Sequence, residues 1–272
     1  MERYLSVLKT LSGKQVLIVG DLILDRYHWG RVERVSPEAP IPVMVLEETE
    51  ERPGGAGCVV ADVAALGGKP VVVSVVGDDA AGERLRNLLE TAGADTTGVV
   101  TQKERKTIVK TRMVGYVQSA HRAQQHILRL DEEQIAPIDA ETEKLLRERV
   151  EALMPEVDVA LVSDYMKGLL QDGLCRCVVD AARRCGKMVL VDPRRQGDYT
   201  IYDGATAVTP NRWEAAQATS CDTTTFEGLR EAGRRLIQRL GLNFCVVTID
   251  KDGMYLVRGD GSGEHFPTRA RA

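Results

Sequence analysis

The sequence predicts an α/β protein, a three-layer sandwich with a mostly parallel central sheet and a small β lid. Three observations lead there. Short apolar runs such as "QVLIVG" and "KPVVVSVVG" read as strands buried on both faces. Amphipathic segments alternate with them, the rhythm of parallel strands joined by crossover helices. One middle segment breaks the rhythm, with two strand-like runs meeting across a polar tip and no helix between them.

Each element follows from local pattern. "QVLIVGD" (15–21) is a buried strand ending in a carboxylate, and "IPVMVLEE" (41–48) alternates as a half-exposed strand. "AGCVVADVAALG" (56–67) reads as a helix with Gly67 just past its end. A buried strand (69–77) precedes an amphipathic helix (78–93), with Asp78 as N-cap and Gly93 as stop. "KTIVKTRMVGYV" and "HILRLDEE" form the hairpin, with "QSAHRAQQ" as its tip. After Pro137 come a helix (139–153), a strand (157–165), a helix (171–185) and strands at 187–193 and 205–211. A short helix from Arg212, a helix at 226–240 and strands at 244–250 and 254–259 complete the pattern. No repeat or linker interrupts it, so residues 1–272 read as one domain, with lid strands near 32–48 and 107–131.

Composition narrows the function classes. With 43% hydrophobic and 28% charged residues, the chain is globular in character. The net charge is −4 and the basic residues are scattered in pairs, which argues against a nucleic-acid partner. One pair, Arg183–Arg184, falls at a predicted helix C-terminus, where cations suit the dipole. No apolar run reaches the ~18 residues of a membrane helix, and the N-terminus lacks a signal-peptide pattern. A cytoplasmic protein without a membrane partner is the expectation. Cys58, Cys175, Cys177, Cys185, Cys221 and Cys245 lack zinc-site spacing and read as reduced, mostly buried thiols. His28, His121, His126 and His265 lie too far apart to suggest a metal cluster.

In parallel sheets, ligands collect at the carboxyl ends of the strands. The predicted ends carry Asp21 and Asp25, Asp164, Asp192, Asn211 with Glu214, and Thr248. Each alone reads equally well as a cap or turn residue; together they point to a polar active site. The glycines of "ERPGGAGCVV" look like a phosphate cradle but lack the Lys-Ser/Thr of a P-loop. No strand is predicted directly before them, as a dinucleotide fingerprint would need. "GDGSG" (259–263) is more simply a hairpin turn.

"GDLILDRYHWGRVERVSPEAPIPV" followed by "ERPGGAG" closely resembles the ribokinase/PfkB family of carbohydrate kinases, and within it the D-glycero-β-D-manno-heptose 7-phosphate kinases. "TIVKTR", "QQHILRLD", "LVSDYMKG", "VDPR", "TPNRWE", "VTIDKDGM" and "HFPTRAR" keep the same register, so the similarity spans nearly the whole chain. The resemblance implies a ribokinase-like fold and an ATP- and Mg²⁺-dependent sugar kinase. The heptose phosphate would be converted to the 1,7-bisphosphate, a precursor for the lipopolysaccharide core. Asp21 and Asp25 would accept hydrogen bonds from sugar hydroxyls beside Gly54 and Gly55, with the glycines letting backbone approach the sugar. Asn211 and Glu214 match the family's NxxE, Glu214 acting on the metal through water, while Thr248 and Gly253 line the nucleotide. Lys167 and Asp192 are assigned to phosphate or metal organisation. Lys110, Arg112 and Arg129 on the lid would meet the phosphate already on the sugar, although solvated charges on a sheet face fit the pattern equally well. The lid would also pair two subunits into a homodimer.

Two departures from the family pattern stand out. Cys58 occupies a position where the family usually has Asn, and Ile249 one where some relatives carry Arg. No Gly-Ala-Gly-Asp occurs in these residues, so the resemblance implies that the base and its anion hole lie beyond residue 272. No catalytic base is therefore assigned within the chain, and an apolar sheet face is expected to lack its helices. A kinase for another sugar, or a sugar-phosphate-binding remnant without turnover, are the alternative readings.

Overall fold

In the computed structural model, residues 2–116 and 124–268 are described. His121 and most of the expected hairpin tip lie outside that range, as do the last residues of "HFPTRARA". Strand β1 (Gln15–Gly20) is the apolar run that the sequence marks as buried, and its interior residues are inaccessible. It feeds β2 (Leu22–Val35), which turns back as β3 (Pro42–Gly55). These two form the root of the lid. Helix α2 (Ala56–Ala65) follows at once, with Gly67 just past its cap at φ 83°.

Strand β4 (Lys69–Gly77), helix α3 (Ala80–Thr91) and strand β5 (Asp95–Gln102) come next. The cap of α3 is Asp79, whose carboxylate accepts the Gly82 N–H at 2.7 Å, and not the expected Asp78. Asp79 also accepts the Thr107 N–H with its other oxygen, a bond one residue earlier could not reach. Strands β6 (Val109–Tyr116) and β7 (Gln124–Glu132) complete the lid sheet, in the order β3-β2-β6-β7. The lid is larger than the sequence suggested, because β2 and β3 run through Asp25 and the glycines.

The second half alternates as expected: α4 (Ala140–Leu153), β8 (Val159–Ser163), α5 (Asp172–Arg184), β9 (Met188–Asp192) and β10 (Ala207–Val208). Helices α6 (Arg212–Thr219) and α7 (Phe226–Leu240) lead to β11 (Phe244–Thr248), β12 (Met254–Arg258) and β13 (Gly263–Phe266). The main sheet runs β13-β12-β11-β10-β9-β8-β1-β4-β5, parallel except at the β12 and β13 edge. Two helices missed in the sequence pattern are α1 (Glu2–Leu11), which is amphipathic, and the 3-10 turn at Tyr199–Tyr202.

The two faces of the sheet differ. On one, α4, α5 and α7 cover the strands with a continuous core that includes Leu146, Val178, Leu236 and Val247. On the other, α2 and α3 cover β1, β4 and β5 around Ile18, Val60, Val72 and Leu85. Beyond β8 that second face is open. The alternate residues Leu190, Val246 and Leu256 are only half-buried, and Met188 and Met254 are exposed. The expected uncovered apolar strand surface is present.

Candidate active site

Strand order locates the site. β1 continues through the lid and α2 to β4 on one side, whereas β8 continues through α5 to β9 on the other. Neighbouring parallel strands whose connections diverge leave a crevice at their carboxyl ends. Asp21 follows β1 and Asp164 follows β8, so both stand at this switch point.

Asp21 does not point its carboxylate at open space, as was expected of a sugar ligand. It is 3% exposed and accepts the backbone N–H groups of Tyr165 (2.9 Å), Lys167 (3.2 Å) and Leu169 (3.3 Å). Burial, and secondarily the Asp164 charge, push its pKa up to about 6 against those donors. Asp164 is also consumed by structure. Its Oδ2 accepts the Tyr202 hydroxyl at 2.6 Å and Arg194 Nε at 2.8 Å, and its Oδ1 accepts the Met166 N–H.

Asp25 is the carboxylate that reaches the crevice. It lies on lid strand β2, where Arg112 of the parallel strand β6 donates to its Oδ1 at 2.6 Å. Residues paired across the lid share a face, which places Lys110, Arg112, Arg129 and Asp131 on the Asp25 side. Arg112 also lies over the Tyr27 ring, 5.1 Å from its centroid. Lys110 makes no ion pair among the described residues. Arg129 is spent on Asp131, two residues away and solvent-exposed, so the solvated-charge reading fits it better.

The glycines are explained by the same neighbourhood. A Cβ on Gly54 would stand 2.4 Å from Asp25 Oδ2, and one on Gly55 would stand 2.4 Å from the Asp21 carbonyl oxygen. Gly55 also holds φ 59°, which side chains resist. No side chain fits at either position, as expected, because Asp25 and the chain itself occupy the space a Cβ would take. Nor does the segment lack a preceding strand. β3 runs into it, but as an antiparallel lid strand, not the parallel strand of a dinucleotide fold. Cys58 is exposed, and its thiol donates to the Pro53 carbonyl at 3.5 Å. Partial desolvation around the sulfur, then the charges of Asp25 and Asp62, push that thiol up from its ordinary value.

Further along the sheet, Asn211 caps α6 in a capping box with Glu214: each side chain accepts the other's backbone N–H. Asn211 also bridges Thr248, an exposed residue at the end of β11. Asp192 stands at the end of β9, where its backbone carbonyl accepts the Asp164 N–H, but its carboxylate makes no hydrogen bond among the described residues. The residue as a whole is exposed, but partial loss of hydration around the carboxylate, then the Glu214 and Asp164 charges, push it up to about 6. An unpartnered carboxylate beside a second one suits a divalent cation that a nucleotide would bring. The described residues hold no group of three or more ligands able to fix a metal alone. Lys167 is committed to Glu133 at 2.6 Å, with both side chains largely buried, so its expected phosphate role would require breaking that pair. Gly253 holds φ 102°, and a Cβ there would collide with the Phe266 carbonyl and the Thr268 amide. Beside it a cleft of about 390 Å³ is walled by Arg212, Phe226, Leu229, Ile249, Lys251 and His265. A larger hollow of about 780 Å³ along α4 touches none of the strand ends.

Sequence reasoning missed Tyr165, which lies close enough to Asp192, Asp25 and Asp21 to feel their charges, and the buried Arg105 and half-buried Arg194 that fix the loop around it. Its place directly after Asp164, at the end of a short apolar strand, was the available signal for Tyr165. For the two arginines there was none.

A lid sheet standing over the switch point of a parallel sheet, with acids at the sugar side and a capped NxxE at the other, defines the ribokinase-like sugar kinases. The family model described as "pfkB family carbohydrate kinase" matches residues 14–271, and the chain belongs to that family. It is 42% identical over 261 residues to "Bifunctional protein HldE" of Paramagnetospirillum magneticum, covering 96% of this chain and 52% of that protein. HldE of Mesorhizobium japonicum is also 42% identical, covering 96% of this chain and 51% of that protein. The chain thus spans about half the length of these relatives. Among solved structures, phosphofructokinase-2 from Escherichia coli in complex with substrates and products superposes with TM-score 0.72 at 17% identity, over 95% of this chain and 80% of that one. Arabidopsis thaliana ribokinase complexed with ribose and ATP gives 0.68 at 17%, over 94% and 78%. These share the fold.

Proposed function

We propose that this chain is a sugar-phosphate kinase domain that acts on D-glycero-β-D-manno-heptose 7-phosphate at its anomeric hydroxyl, with ATP and Mg²⁺, to give the 1,7-bisphosphate. The Asp25–Arg112 pair carries the reading. A carboxylate suits sugar hydroxyls, and a guanidinium held at its side suits a phosphate already on the substrate. Similarity to the HldE proteins supports this substrate over a free sugar.

Bound ATP–Mg²⁺ supplies the phosphoryl group and neutralises charge as it moves. The chain's own residues bind and orient. Asp25, with Lys110 and Arg112, holds the sugar phosphate under the lid. Asp192 and Glu214 present negative charge to the cation, and Asn211, Thr248 and Gly253 shape the nucleotide side. The lid excludes water, which keeps the phosphoryl group for the sugar. A second copy is the proposed partner. The lid face opposite Asp25 exposes Leu46, Leu128 and Leu130, an apolar surface suited to pairing two lids.

Binding tests the substrate directly. Isothermal titration of the chain with heptose 7-phosphate, unphosphorylated heptose and fructose 6-phosphate should rank the first tightest. Equal affinity for heptose with and without its phosphate would overturn the proposal.

A further inference from the structure

We infer that Tyr165 positions the sugar at the switch point, and that Asp21 is the residue that aims it. The inference deepens the sugar-kinase reading and rests on it. Tyr165 follows β8, whose neighbours are β1 on the sugar side and β9 on the phosphate side. Its place in the strand order therefore puts it between Asp25 at the lid root and Asp192.

The backbone beneath Tyr165 is fixed from all sides. Alternate amides of the loop, those of Tyr165, Lys167 and Leu169, converge on the single carboxylate of Asp21. Met166, between them, holds φ 57°, a left-handed conformation that costs a non-glycine residue stability unless its surroundings impose it. Its N–H is held by Asp164, which Arg194 and Tyr202 lock in turn. Arg105, itself 8% exposed, donates to the Ala136 and Lys167 carbonyls. At Gly168 a Cβ would sit 1.9 Å from the Ala136 oxygen.

So much restraint is more than a surface loop needs. Yet the ring it carries is left 42% exposed in a polar crevice, adding little to the core. A rigid aromatic face with a hydroxyl at its edge suits a pyranose, whose C–H face stacks and whose hydroxyls accept or donate. Asp21 touches no substrate in this arrangement. It is a positioning residue, holding the loop across the boundary between the two halves of the sheet.

The test is a double-mutant cycle read by titration with heptose 7-phosphate, fructose 6-phosphate and ATP–Mg²⁺. Tyr165→Ala should weaken the sugar phosphate that wild type binds by about tenfold while changing ATP–Mg²⁺ by less than about threefold. Tyr165→Phe should keep most of the affinity. Asp21→Asn puts an NH₂ where backbone N–H groups need an acceptor, and should weaken the same ligand. Its loss should not add to that of Tyr165→Ala, because both remove one function. Additive losses would reduce Asp21 to a stabiliser and overturn its aiming role. Unchanged sugar binding in Tyr165→Ala, an exposed position where folding is not at stake, would overturn the whole inference. Wild type that binds fructose 6-phosphate but not the heptose would refute the substrate alone, leaving the cycle to be read with fructose 6-phosphate.

Discussion

Arg112 donates to Asp25 across neighbouring parallel lid strands at 2.6 Å, with the two side chains 19% and 16% exposed. Neither side chain sits in the core, and neither is free in solvent. Such a half-buried, charge-assisted pair holds its geometry before a ligand arrives.

Arg112→Ala should weaken sugar-phosphate binding by about tenfold, near 1.4 kcal/mol, the scale of one charge-assisted hydrogen bond. Affinity for the unphosphorylated sugar should hardly change. Calorimetry on both ligands checks this, and equal losses on the two would remove Arg112 from the phosphate contact.

The neighbouring glycines should separate binding from stability. Gly55→Ala meets both a positive φ and a backbone oxygen, so it should cost about 2 kcal/mol or more and lower Tm clearly. Gly54→Ala meets only the Asp25 carboxylate, a movable group. Its Tm should fall little, whereas sugar-phosphate binding falls because Asp25 is pushed aside. Thermal melts alongside titration distinguish the two, and equal Tm losses would contradict the packing described.

Asp192 gives a pH signature. Its folded pKa, about 6, lies above the unfolded carboxylate value. The native state therefore holds its proton more tightly, and stability from this group is complete below about pH 4. It is lost as pH rises through about 6. Asp192→Asn should then melt above wild type at pH 7.5, and the difference should vanish toward pH 4. Because the residue is open to solvent, salt should shrink the gap. A difference that is constant with pH would rule this origin out.

The open sheet face should drive self-association. Met188 and Met254 are exposed beside half-buried Leu190, Val246 and Leu256. Size-exclusion chromatography of the chain should show species larger than the proposed lid-paired dimer, and Met188→Lys with Met254→Lys should reduce them. An unaltered, well-behaved elution in both proteins would show that this face is inert.

Much of the fold was legible because burial writes itself into local pattern. β4 was delimited residue for residue by an apolar run broken only at Ser74, and α4 and α7 were placed to within one residue by the alternation of strand and helix. β5, "DTTGVVTQ", was not, since a polar edge strand carries neither signal. β2 was hidden as well: its charges alternate with aromatics, so no apolar periodicity marks it as a strand. In the site, chain position pointed to Asp25, Asn211 and Glu214, and motif spacing even contained the capping box.

The sequence alone determined the class of fold, the family and the strand ends where polar groups would gather, since these depend on spacing and composition along the chain. Tertiary structure alone decided how those groups are used. Asp21 and Asp25 are both acids beside the first strand, yet one is drained by three amides of a loop far away in sequence and the other is left to face the crevice with Arg112. Hydrogen-bond partners brought together by chain crossing leave no trace in local pattern, and in a dry crevice they determine which charge remains available.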